Sequence, residues 1–418
     1  MCWIRWRFSA VLSSFFDLGG FMIKQKHLGT KSLVGFITFM NMFIPLSIDL
    51  YLPAMPEMGN HFQSNSLLIG MTLTAFFLMF ALSIVFFGPV SDKYGRRKIL
   101  ISCTVLYIAA SLICAAAPNI YVLIAGRILE AIGAGAIITV ATALIKECFT
   151  GQSMTKILAA TQALGVIAPM AAPILGGALL IFTSWRGAFV LLAGLGCVNL
   201  VLSFLLTETL PQNNRYQGKI LQSFSLLVGF VKYQRFFRPL IMFALLAAPY
   251  MAYLAVSSFV YVSYFGLTAQ EYSYYFAVNS AAAVIGPGLY LWLKKHFANK
   301  QIIIISFVTA SISGLLVLLT GSMAATLFLL AFLPFTIIES MVRPFSMDML
   351  LREVKENVGT AAAMINFMHT LLGSIGMAMG TLPWPNFIQG LAIIMLTSLG
   401  LGILIWKITP QNDEPTGN

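Results

Sequence analysis

Residues 88–98 read Gly-Pro-Val-Ser-Asp-Lys-Tyr-Gly-Arg-Arg-Lys and lie between two apolar runs, each long enough to cross a lipid bilayer as a helix. Gly95 permits a tight turn between the two runs, and the basic residues around it hold that turn at a membrane surface. We expect Gly88 to let the end of the preceding helix approach a neighbouring helix closely. Asp92 is placed to pair with Arg96 or to act as a fixed anion near a helix N-terminus. The stretch therefore predicts a charged turn that joins two membrane helices.

The composition of the chain indicates a membrane protein rather than a soluble one. Of its 418 residues, 59% are hydrophobic and 9% are charged, and the mean hydropathy is +0.88. Soluble domains average about 25% charged residues, so this chain lacks the polar surface that water requires. The net charge of +11 does not indicate nucleic-acid binding, because the basic residues are confined to particular loops instead of forming a surface stripe.

Neither a metal site nor a catalytic site is expected from the sequence. The five cysteines have neither the spacing of metal ligands nor an extracellular disulfide pattern, and the four histidines are scattered along the chain. No nucleophile motif accompanies them. We therefore expect a protein that is not an enzyme, needs no cofactor and binds neither metal nor nucleic acid.

Hydrophobic runs of membrane-spanning length recur along the whole chain and predict twelve helices, since only helices pair every backbone group internally within lipid. A polar stretch divides the helices into two groups of six. Because Met22 opens a basic tail that leads into the first helix, we expect the natural chain to start there. Residues 1–21 would then come from the choice of a start codon upstream of the natural one. The predicted spans lie near Ser32–Leu52, Leu67–Val90, Ile99–Ala117, Ile120–Ile145, Ile157–Phe182, Gly187–Thr207, Pro239–Val262, Tyr272–Leu293, Gln301–Thr320, Met323–Arg343, Val358–Thr381 and Asn386–Lys407. The predicted regions are an N-terminal tail (1–31), a first half (32–207), a central loop (208–238), a second half (239–407) and a C-terminal tail (408–418).

The positions of the basic residues orient the helices. All of the 25 lysines and arginines except Arg127 and Arg186 fall in the tails or in alternate loops. Cytoplasmic loops carry the excess of basic residues, so this alternation predicts that both termini and the central loop are cytoplasmic. The expected location is a bacterial inner membrane, which the chain crosses many times.

Residues 88–98 resemble the signature loop of the major facilitator superfamily, in which a glycine and an aspartate precede Gly-Arg-Arg or Gly-Arg-Lys. Three further stretches resemble the bicyclomycin/chloramphenicol-resistance branch of its drug:proton antiporters. The stretches are Asp49-Leu50-Tyr51-Leu52-Pro53-Ala54-Met55-Pro56 in the first helix, Gly126-Arg127-Ile128-Leu129-Glu130 in the fourth, and a run of prolines and glycines from Gly165 to Gly177 in the fifth. Glu130 stands where that branch usually has glutamine. After residue 211 the resemblance is only architectural.

The resemblance implies an all-α polytopic membrane protein with twelve transmembrane helices in two six-helix halves, the major facilitator fold, and a substrate site between the halves. The second half repeats the signature loop only as Gly288 followed by Lys294, Lys295 and Lys300, without the aspartate. By resemblance, the residues that lock and release a cytoplasmic gate are Gly88, Asp92, Gly95, Arg96 and Arg97. By resemblance, the fifth-helix residues of an antiporter motif are Gly165, Pro169, Pro173, Gly176 and Gly177.

Ionisable residues inside a span are costly and are functional candidates by default. At about 1.5 Å per helical residue, Asp49 and Arg127 are both expected roughly 12 Å below the same surface, with Glu130 one turn deeper beside Arg127. Arg127 would then face two carboxylates and act as a proton-coupled switch, because protonation of a carboxylate weakens its attraction for the arginine. A static ion pair that locks the first and fourth helices is the alternative. Three roles stay open for Glu130: carrying the proton, attracting a cationic solute or neutralising Arg127.

Other polar residues in the spans are weaker candidates. Glu339 and Arg343 lie four residues apart on the tenth helix and are expected to form a local pair near the cytoplasmic edge. His369 lies mid-span, where a histidine commonly donates a hydrogen bond between helices. The candidates for the lining of a substrate cavity are Asn41, Tyr250, Tyr253, Asn279, Asn366 and His369.

Together these patterns predict a proton-driven exporter of drug-like or amphipathic small molecules that works by alternating access as a monomer in the lipid bilayer. The 33 phenylalanines, 21 methionines and 14 tyrosines suit loose recognition of such solutes. A dedicated exporter of one metabolite or siderophore is the main alternative, and a proton-coupled uptake symporter is a further one. A multi-pass membrane enzyme or a solute-gated receptor fits the sequence less well.

Overall fold

The computed structural model describes residue 26 and residues 28–218, 229–354 and 358–408, without the side chains of 151–153, 155–156, 158–167, 214 and 358. Within these ranges twelve long helical segments follow one another, and eleven of them are long and apolar enough to cross a membrane. The other segment, α5, contributes the shorter apolar helix Ala168–Phe182. The all-α fold predicted from the hydrophobic runs is confirmed. The segments are α1 Thr30–Phe62, α2 Ser66–Tyr94, α3 Arg96–Ala115, α4 Ile120–Cys148, α5 Gly151–Phe182, α6 Arg186–Leu205, α7 Gln234–Tyr264, α8 Ala269–His296, α9 Asn299–Thr320, α10 Ala325–Arg352, α11 Val358–Gly380 and α12 Phe387–Ile408.

Side-chain caps and one glycine fix where several helices begin. Asn65 and Asn119 accept hydrogen bonds from backbone N–H groups in the first turns of α2 and α4, each at 3.0 Å. Thr268 and Glu271 form a reciprocal capping box at the start of α8. Between α2 and α3 the chain turns at Gly95, whose φ of +98° suits glycine and strains other residues. Short, capped connections of this kind make consecutive helices antiparallel neighbours.

The first helix does not end where the sequence predicted. Its α-helical part covers Thr30–Asp49, a 3-10 turn follows at Leu52–Ala54, and a further helix covers Met55–Phe62. Pro53 has no backbone N–H to continue an α-helix and instead suits the first position of a new turn. The proline motif therefore builds a bend inside α1 and does not end it.

Other helices also extend beyond their predicted ends. The α5 helix starts at Gly151, the α7 helix starts at Gln234, and the α10 helix continues to Arg352. The sequences of these extra turns contain polar and basic residues. Hydrophobicity marks the part of a helix that lies in lipid, so it underestimates the full length.

The helices pack into two groups, formed by the first six and the last six segments. In the first group α4 packs against α2 and α3, and α3 also packs against α6. In the second group α7 packs against α11, and α9 packs against α10 and α12. The groups meet along two seams, α2 with α11 and α5 with α8. We call the end of the molecule that carries residues 88–98 the basic end, and the opposite end the far end.

Two glycines of α5 allow three helices to touch near the far end. A Cβ on Gly176 would overlap the carbonyl oxygen of Leu50 at the bend of α1. A Cβ on Gly177 would lie 2.6 Å from Ser273 Oγ on α8. The Ser273 hydroxyl donates a hydrogen bond to the carbonyl oxygen of Pro173 at 2.7 Å. The fifth-helix motif thus brings α5 against α1 on one side and against the second group on the other.

A second close contact joins α2 and α11 at the same end. A Cβ on Gly70 would overlap the side chain of Thr381, and Ser66 donates a hydrogen bond to the Thr381 carbonyl oxygen at 3.2 Å. Among described residues, this hydrogen bond and the one from Ser273 are those that join the two groups. We call the contacts of Gly70 with Thr381 and of Gly177 with Ser273 the far-end seal. The two groups are closed against each other at the far end.

Replacing Gly70 with alanine should open the far-end seal, because an added Cβ has no room beside the Thr381 side chain of the second group. Overpacking costs about 1–3 kcal/mol, so we expect the closed population to fall relative to the open one by about fivefold to 150-fold. Spin labels on cysteines introduced at Ser184 and Ser322, in far-end loops of the two groups, should report longer distances by electron spin resonance.

The matched control for this measurement is Gly194→Ala on α6, where an added Cβ would meet no atom within 4 Å. The labels require removal of Cys197, which is exposed, whereas Cys103, Cys114 and Cys148 are buried. Identical distance distributions in Gly70→Ala and the control would show that the glycine does not hold the seal.

Candidate functional site

Arg96 is the centre of an ion-pair network at the basic end. Its guanidinium pairs with Asp92 one turn earlier and with Glu147 at the end of α4, the latter at 2.8 Å. It also donates a hydrogen bond to Ser91 Oγ at 2.5 Å. Glu147 in turn accepts a hydrogen bond from Thr209. The network joins the ends of α2 and α4, the start of α3 and the segment after α6, and Glu147 is a member that sequence reasoning missed.

The carboxylate of Glu208 caps the start of α3. Its oxygens accept hydrogen bonds from the backbone N–H groups of Arg96 at 2.9 Å and Arg97 at 3.2 Å, which is favourable at a helix N-terminus. The Arg97 side chain donates to the carbonyl oxygen of Phe204 at 2.7 Å. A Cβ on Gly95 would lie 2.5 Å from the Glu208 carboxylate, so this position requires glycine for space as well as for its φ.

Gly88 does not make the close helix contact that the sequence predicted. An added Cβ there would meet no atom within 4 Å. The tight contact of α2 with the second group is at Gly70, about five helical turns away toward the far end. Gly88 lies near the basic end, where this conformation brings no neighbour against it.

The second group has its own ion pair at the basic end, although its loop lacks the aspartate. Lys294 at the end of α8 pairs with Asp348 of α10, and Tyr290 donates to the same carboxylate at 2.9 Å. Arg352 bridges to Asp348 at 3.3 Å. Asp348 of α10 thus supplies the carboxylate that the loop lacks. Glu147 of α4 likewise supplies a carboxylate to Arg96 from another helix.

Arg127 and Glu130 form a fully enclosed ion pair within α4. The distance between Arg127 Nη1 and Glu130 Oε2 is 2.5 Å, and both side chains are 0% exposed. Ser111 of α3 donates to the other Glu130 oxygen at 2.9 Å. The Arg127 guanidinium and the Ser111 hydroxyl therefore satisfy the two carboxylate oxygens of Glu130, as a buried charge requires.

Aromatic rings enclose the Arg127 guanidinium on its remaining sides. Its central carbon lies 4.1 Å from the ring centre of Phe76 and 4.8 Å from that of Tyr51, distances at which cation–π attraction operates. Its Nε donates weakly to the Thr72 carbonyl oxygen at 3.5 Å. Its Nη2 is buried without a hydrogen-bond partner among described residues. One donor of this arginine is therefore unused in this conformation.

Asp49 does not face Arg127, which corrects the arrangement expected from depth alone. Tyr51, just beyond the α-helical part that ends at Asp49, contacts Arg127 instead. Asp49 is 4% exposed, and its carboxylate makes no ion pair or hydrogen bond with any group that the structure describes, which leaves out most side chains of 151–167. Its electrostatic field reaches the hydroxyls of Tyr250 on α7 and Tyr272 on α8. Asp49 thus lies at a level close to that of Arg127 but faces the second group of helices.

Glu339 and Arg343 do not lie at the cytoplasmic edge as the sequence predicted. Because α10 continues to Arg352, Glu339 lies near the middle of the helix, about 20 Å from either end. Glu339 is 4% exposed and binds Arg343 Nε at 2.8 Å, whereas the Arg343 side chain is 48% exposed. The charges of both residues reach the hydroxyl of Tyr250, and that of Arg343 also reaches His369. This second ion pair is therefore part of the molecular centre.

The predicted cavity residues separate into two kinds. Tyr253 is fully buried and stacks on Phe332 at 4.3 Å between ring centres, and Asn279 accepts a hydrogen bond from Thr336 at 2.7 Å, so both belong to helix packing instead of a cavity wall. Both were placed wrongly because polarity alone does not reveal which face of a helix is packed. The side-chain amide of Asn41 donates to its own helix, Asn366 is exposed, Tyr250 is half-buried, and His369 is buried.

Twelve membrane helices in two groups that meet around buried ionisable residues define a polytopic membrane transporter. Residues 32–377 match the family model described as Major Facilitator Superfamily, and the chain belongs to this family.

Relatives and solved structures agree with this family. YdgK of Bacillus subtilis (strain 168), named an uncharacterized MFS-type transporter, is 30% identical over 358 residues, which are 84% of this chain and 88% of YdgK. The multidrug resistance protein MdtL of Escherichia coli (strain SMS-3-5 / SECEC) is 30% identical over 168 residues, only 40% of this chain and 43% of MdtL. A bacterial homologue of the human lysosomal transporter Spinster, in an inward-facing and unoccupied conformation, superposes with a TM-score of 0.70 at 16% identity over 91% of this chain and 95% of that one. The D-xylose–proton symporter superposes with a TM-score of 0.68 at 15% identity over 90% and 97% of the two chains.

Replacing Glu147 with glutamine should lower the thermal stability of the purified protein more than replacing Asp92 with asparagine. The Glu147 side chain is 19% exposed and binds both Arg96 and Thr209, whereas that of Asp92 is 48% exposed. Hydrogen bonds to charged groups contribute about 1.5–3 kcal/mol, and exposed ion pairs up to about 1 kcal/mol. Thermal unfolding in one detergent compares the two variants, and an equal or larger loss for Asp92→Asn would contradict this assignment.

Replacing Glu130 with glutamine should destabilise the protein by about 3–5 kcal/mol, because Arg127 would remain buried without an anionic partner. Replacing both residues with glutamine should recover much of that loss, since neither charge would then be unpaired. Thermal unfolding of the wild type, both single variants and the double variant forms a complete double-mutant cycle. Additive losses in the double variant would mean that the two side chains do not act as a pair.

Proposed function

We propose that this transporter exports drug-like or amphipathic small molecules in exchange for protons, by alternating access. The observation that carries this proposal is the carboxylate of Asp49, which is buried, has no ion-pair partner among described residues and faces the second group of helices. A buried carboxylate without a cation is costly when charged and much less so when protonated. Such a group at the interface of two moving bodies is suited to carry a proton.

The far-end seal supports the alternating-access part of the proposal. Its contacts are short-range steric contacts and single hydrogen bonds between helices of opposite groups. The described ion pairs at the basic end lie within one group each: Arg96 with Glu147, and Lys294 with Asp348. The two groups can therefore rock as rigid bodies, opening one end as the other closes, without breaking these ion pairs.

Coupling then follows from the position of Asp49. In one conformation the carboxylate accepts a proton, and in the other a cationic group of the solute competes with that proton for the same carboxylate. Competition for one site makes the two ligands alternate, which is the requirement for antiport. The pair of Arg127 with Glu130 has the supporting role of neutralising a buried arginine in this conformation. The proton gradient supplies the energy, and no cofactor is needed.

The partial relationship to MdtL, a multidrug resistance protein, supports export of several compounds. Export of one metabolite or siderophore on the same scaffold is the second candidate. Uptake by symport is the third, because the D-xylose–proton symporter shares the fold and the fold alone does not set the direction of transport. We further propose that the protein acts as a monomer in a bacterial inner membrane, with both termini and the basic end in the cytoplasm.

Replacing Asp49 with asparagine should abolish proton-coupled transport in proteoliposomes by at least about 100-fold, the scale of a lost proton-transfer group, while the variant still inserts and folds. The measurement is proton flux on addition of structurally different cations, neutral compounds and siderophores. Glu57→Gln is the control, because Glu57 is an exposed carboxylate of the same helical segment.

Unimpaired flux in Asp49→Asn would contradict the role of Asp49. A response of the wild type to one compound only would favour the dedicated exporter. Proton movement in the same direction as the solute would favour symport.

A further inference from the structure

Arg343 is an arginine near the centre of the molecule whose guanidinium is only partly used. Its Nε binds Glu339, and neither terminal nitrogen has a hydrogen-bond partner among described residues. Its side chain is 48% exposed although it lies about 14 Å inside the basic end of α10. A lipid-facing arginine at this depth would be energetically costly. The exposed side of the guanidinium is therefore expected to face water and not lipid.

Two further polar groups approach Arg343 from neighbouring helices without partners of their own. His369, at the middle of α11, is 8% exposed, and both of its ring nitrogens are buried without a hydrogen bond to any described residue. Tyr250, on α7, is half-buried, and its hydroxyl likewise lacks a partner within the described ranges. The electrostatic field of Arg343 reaches both residues. Buried polar groups are normally satisfied, so this set of unused donors indicates a missing acceptor.

A purely structural role does not explain this cluster. The pair of Glu339 with Arg343 connects two positions on one helix, so it ties no helices together. Such a pair within a single helix contributes little to helix stability. In the enclosed pair of Arg127 and Glu130, by contrast, a hydroxyl and aromatic rings from other helices contact both side chains. On the exposed side of the Arg343 guanidinium no such contact is described.

The free end of the Arg343 guanidinium has the geometry of a carboxylate receptor. With Nε held by Glu339, the two terminal nitrogens remain as a parallel pair of donors, which matches two carboxylate oxygens. Tyr250 and His369 supply further donors from two other helices. The charge of Asp49 also reaches the Tyr250 hydroxyl, and its carboxylate offers an anion to a positively charged group.

We propose that the centre of the molecule binds zwitterionic solutes, with the solute carboxylate on Arg343, Tyr250 and His369 and its protonated amine on Asp49. This inference rests on the proposed transport function and adds the substrate class. A carboxylate alone would bring a second negative charge near Asp49 and favour its protonation, so it would oppose exchange against a proton. An amine on Asp49 displaces the proton, and the carboxylate on Arg343 adds affinity and specificity. A zwitterion therefore meets both requirements.

The test compares three forms of one amphipathic solute with the purified protein in detergent. L-phenylalanyl-L-phenylalanine is the zwitterion, its C-terminal amide is the cation, and its N-acetyl derivative is the anion. Calorimetry should show that the wild type binds the zwitterion about 10- to 100-fold more tightly than the amide, the effect expected for a charge-assisted pair. Equal affinities, or no binding of the zwitterion, would overturn the inference.

Variants of the receptor show whether Arg343 provides the preference. Arg343→Lys keeps the charge and removes the paired donors, and Glu339→Gln/Arg343→Gln removes both charges so that neither is left unpaired. In both variants the preference for the zwitterion over the amide should fall to about onefold while binding of the amide persists. Arg235→Gln, an exposed arginine at the basic end of α7, is the control and should keep the wild-type preference. A preference that survives both receptor variants would also overturn the inference.

Proton flux in proteoliposomes separates this inference from the proposed function. If the zwitterion binds through Arg343 and drives no proton movement, the carboxylate receptor stands and proton antiport fails. If the amide exchanges with protons and the zwitterion binds no better than the amide, proton antiport stands and the zwitterion inference fails.

Discussion

A charge inside a bilayer must be paired or must face water, and this constraint explains where the few charges of the chain lie. In the first group of helices Arg127 is paired with Glu130 and enclosed, so both residues are removed from solvent. In the second group the pair of Glu339 with Arg343 is closed on one side and open on the other. Asp49 lies between the groups and has no cation among the described residues. Removal of one charge of a pair leaves its partner buried without a counter-charge, which is strongly destabilising.

The two groups repeat one plan with different outcomes. Each has an ion pair at the basic end. In the first group it joins α4 to the α2–α3 turn, and in the second group it joins α10 to the end of α8. Each also has a pair inside the membrane on α4 or α10. The pair on α4 is completed by neighbouring helices, which makes it part of a rigid body. The pair on α10 leaves donors free, which makes it suited to bind a solute.

The sequence predicted the helices well because hydrophobic length is a direct consequence of bilayer thickness. It predicted the network around Arg96 in part, since Asp92 and Gly95 belong to the same short stretch. Glu147 and Asp348 were not predicted, because they reach the network from helices distant in the sequence.

Inside the membrane, the sequence predicted the depth of some ionisable residues along their helices but not the direction of their side chains. Counting residues gave Asp49 a level close to that of Arg127 but did not give the direction of its side chain, which depends on how the first helix is rotated against its neighbours. Counting failed for Glu339, because α10 extends beyond its apolar part. Polarity within a span wrongly predicted Tyr253 and Asn279 as cavity residues. A polar side chain on a membrane helix looks the same in the sequence whether it packs against another helix or faces water.

The central claim is that a solute and a proton compete for Asp49. It is tested most directly by measuring proton release when a transported solute is added to the purified protein in weakly buffered detergent solution. The account predicts close to one proton released per solute bound at a pH where Asp49 is protonated, and solute binding without release in Asp49→Asn. Solute binding to the wild type without any proton release would contradict the account.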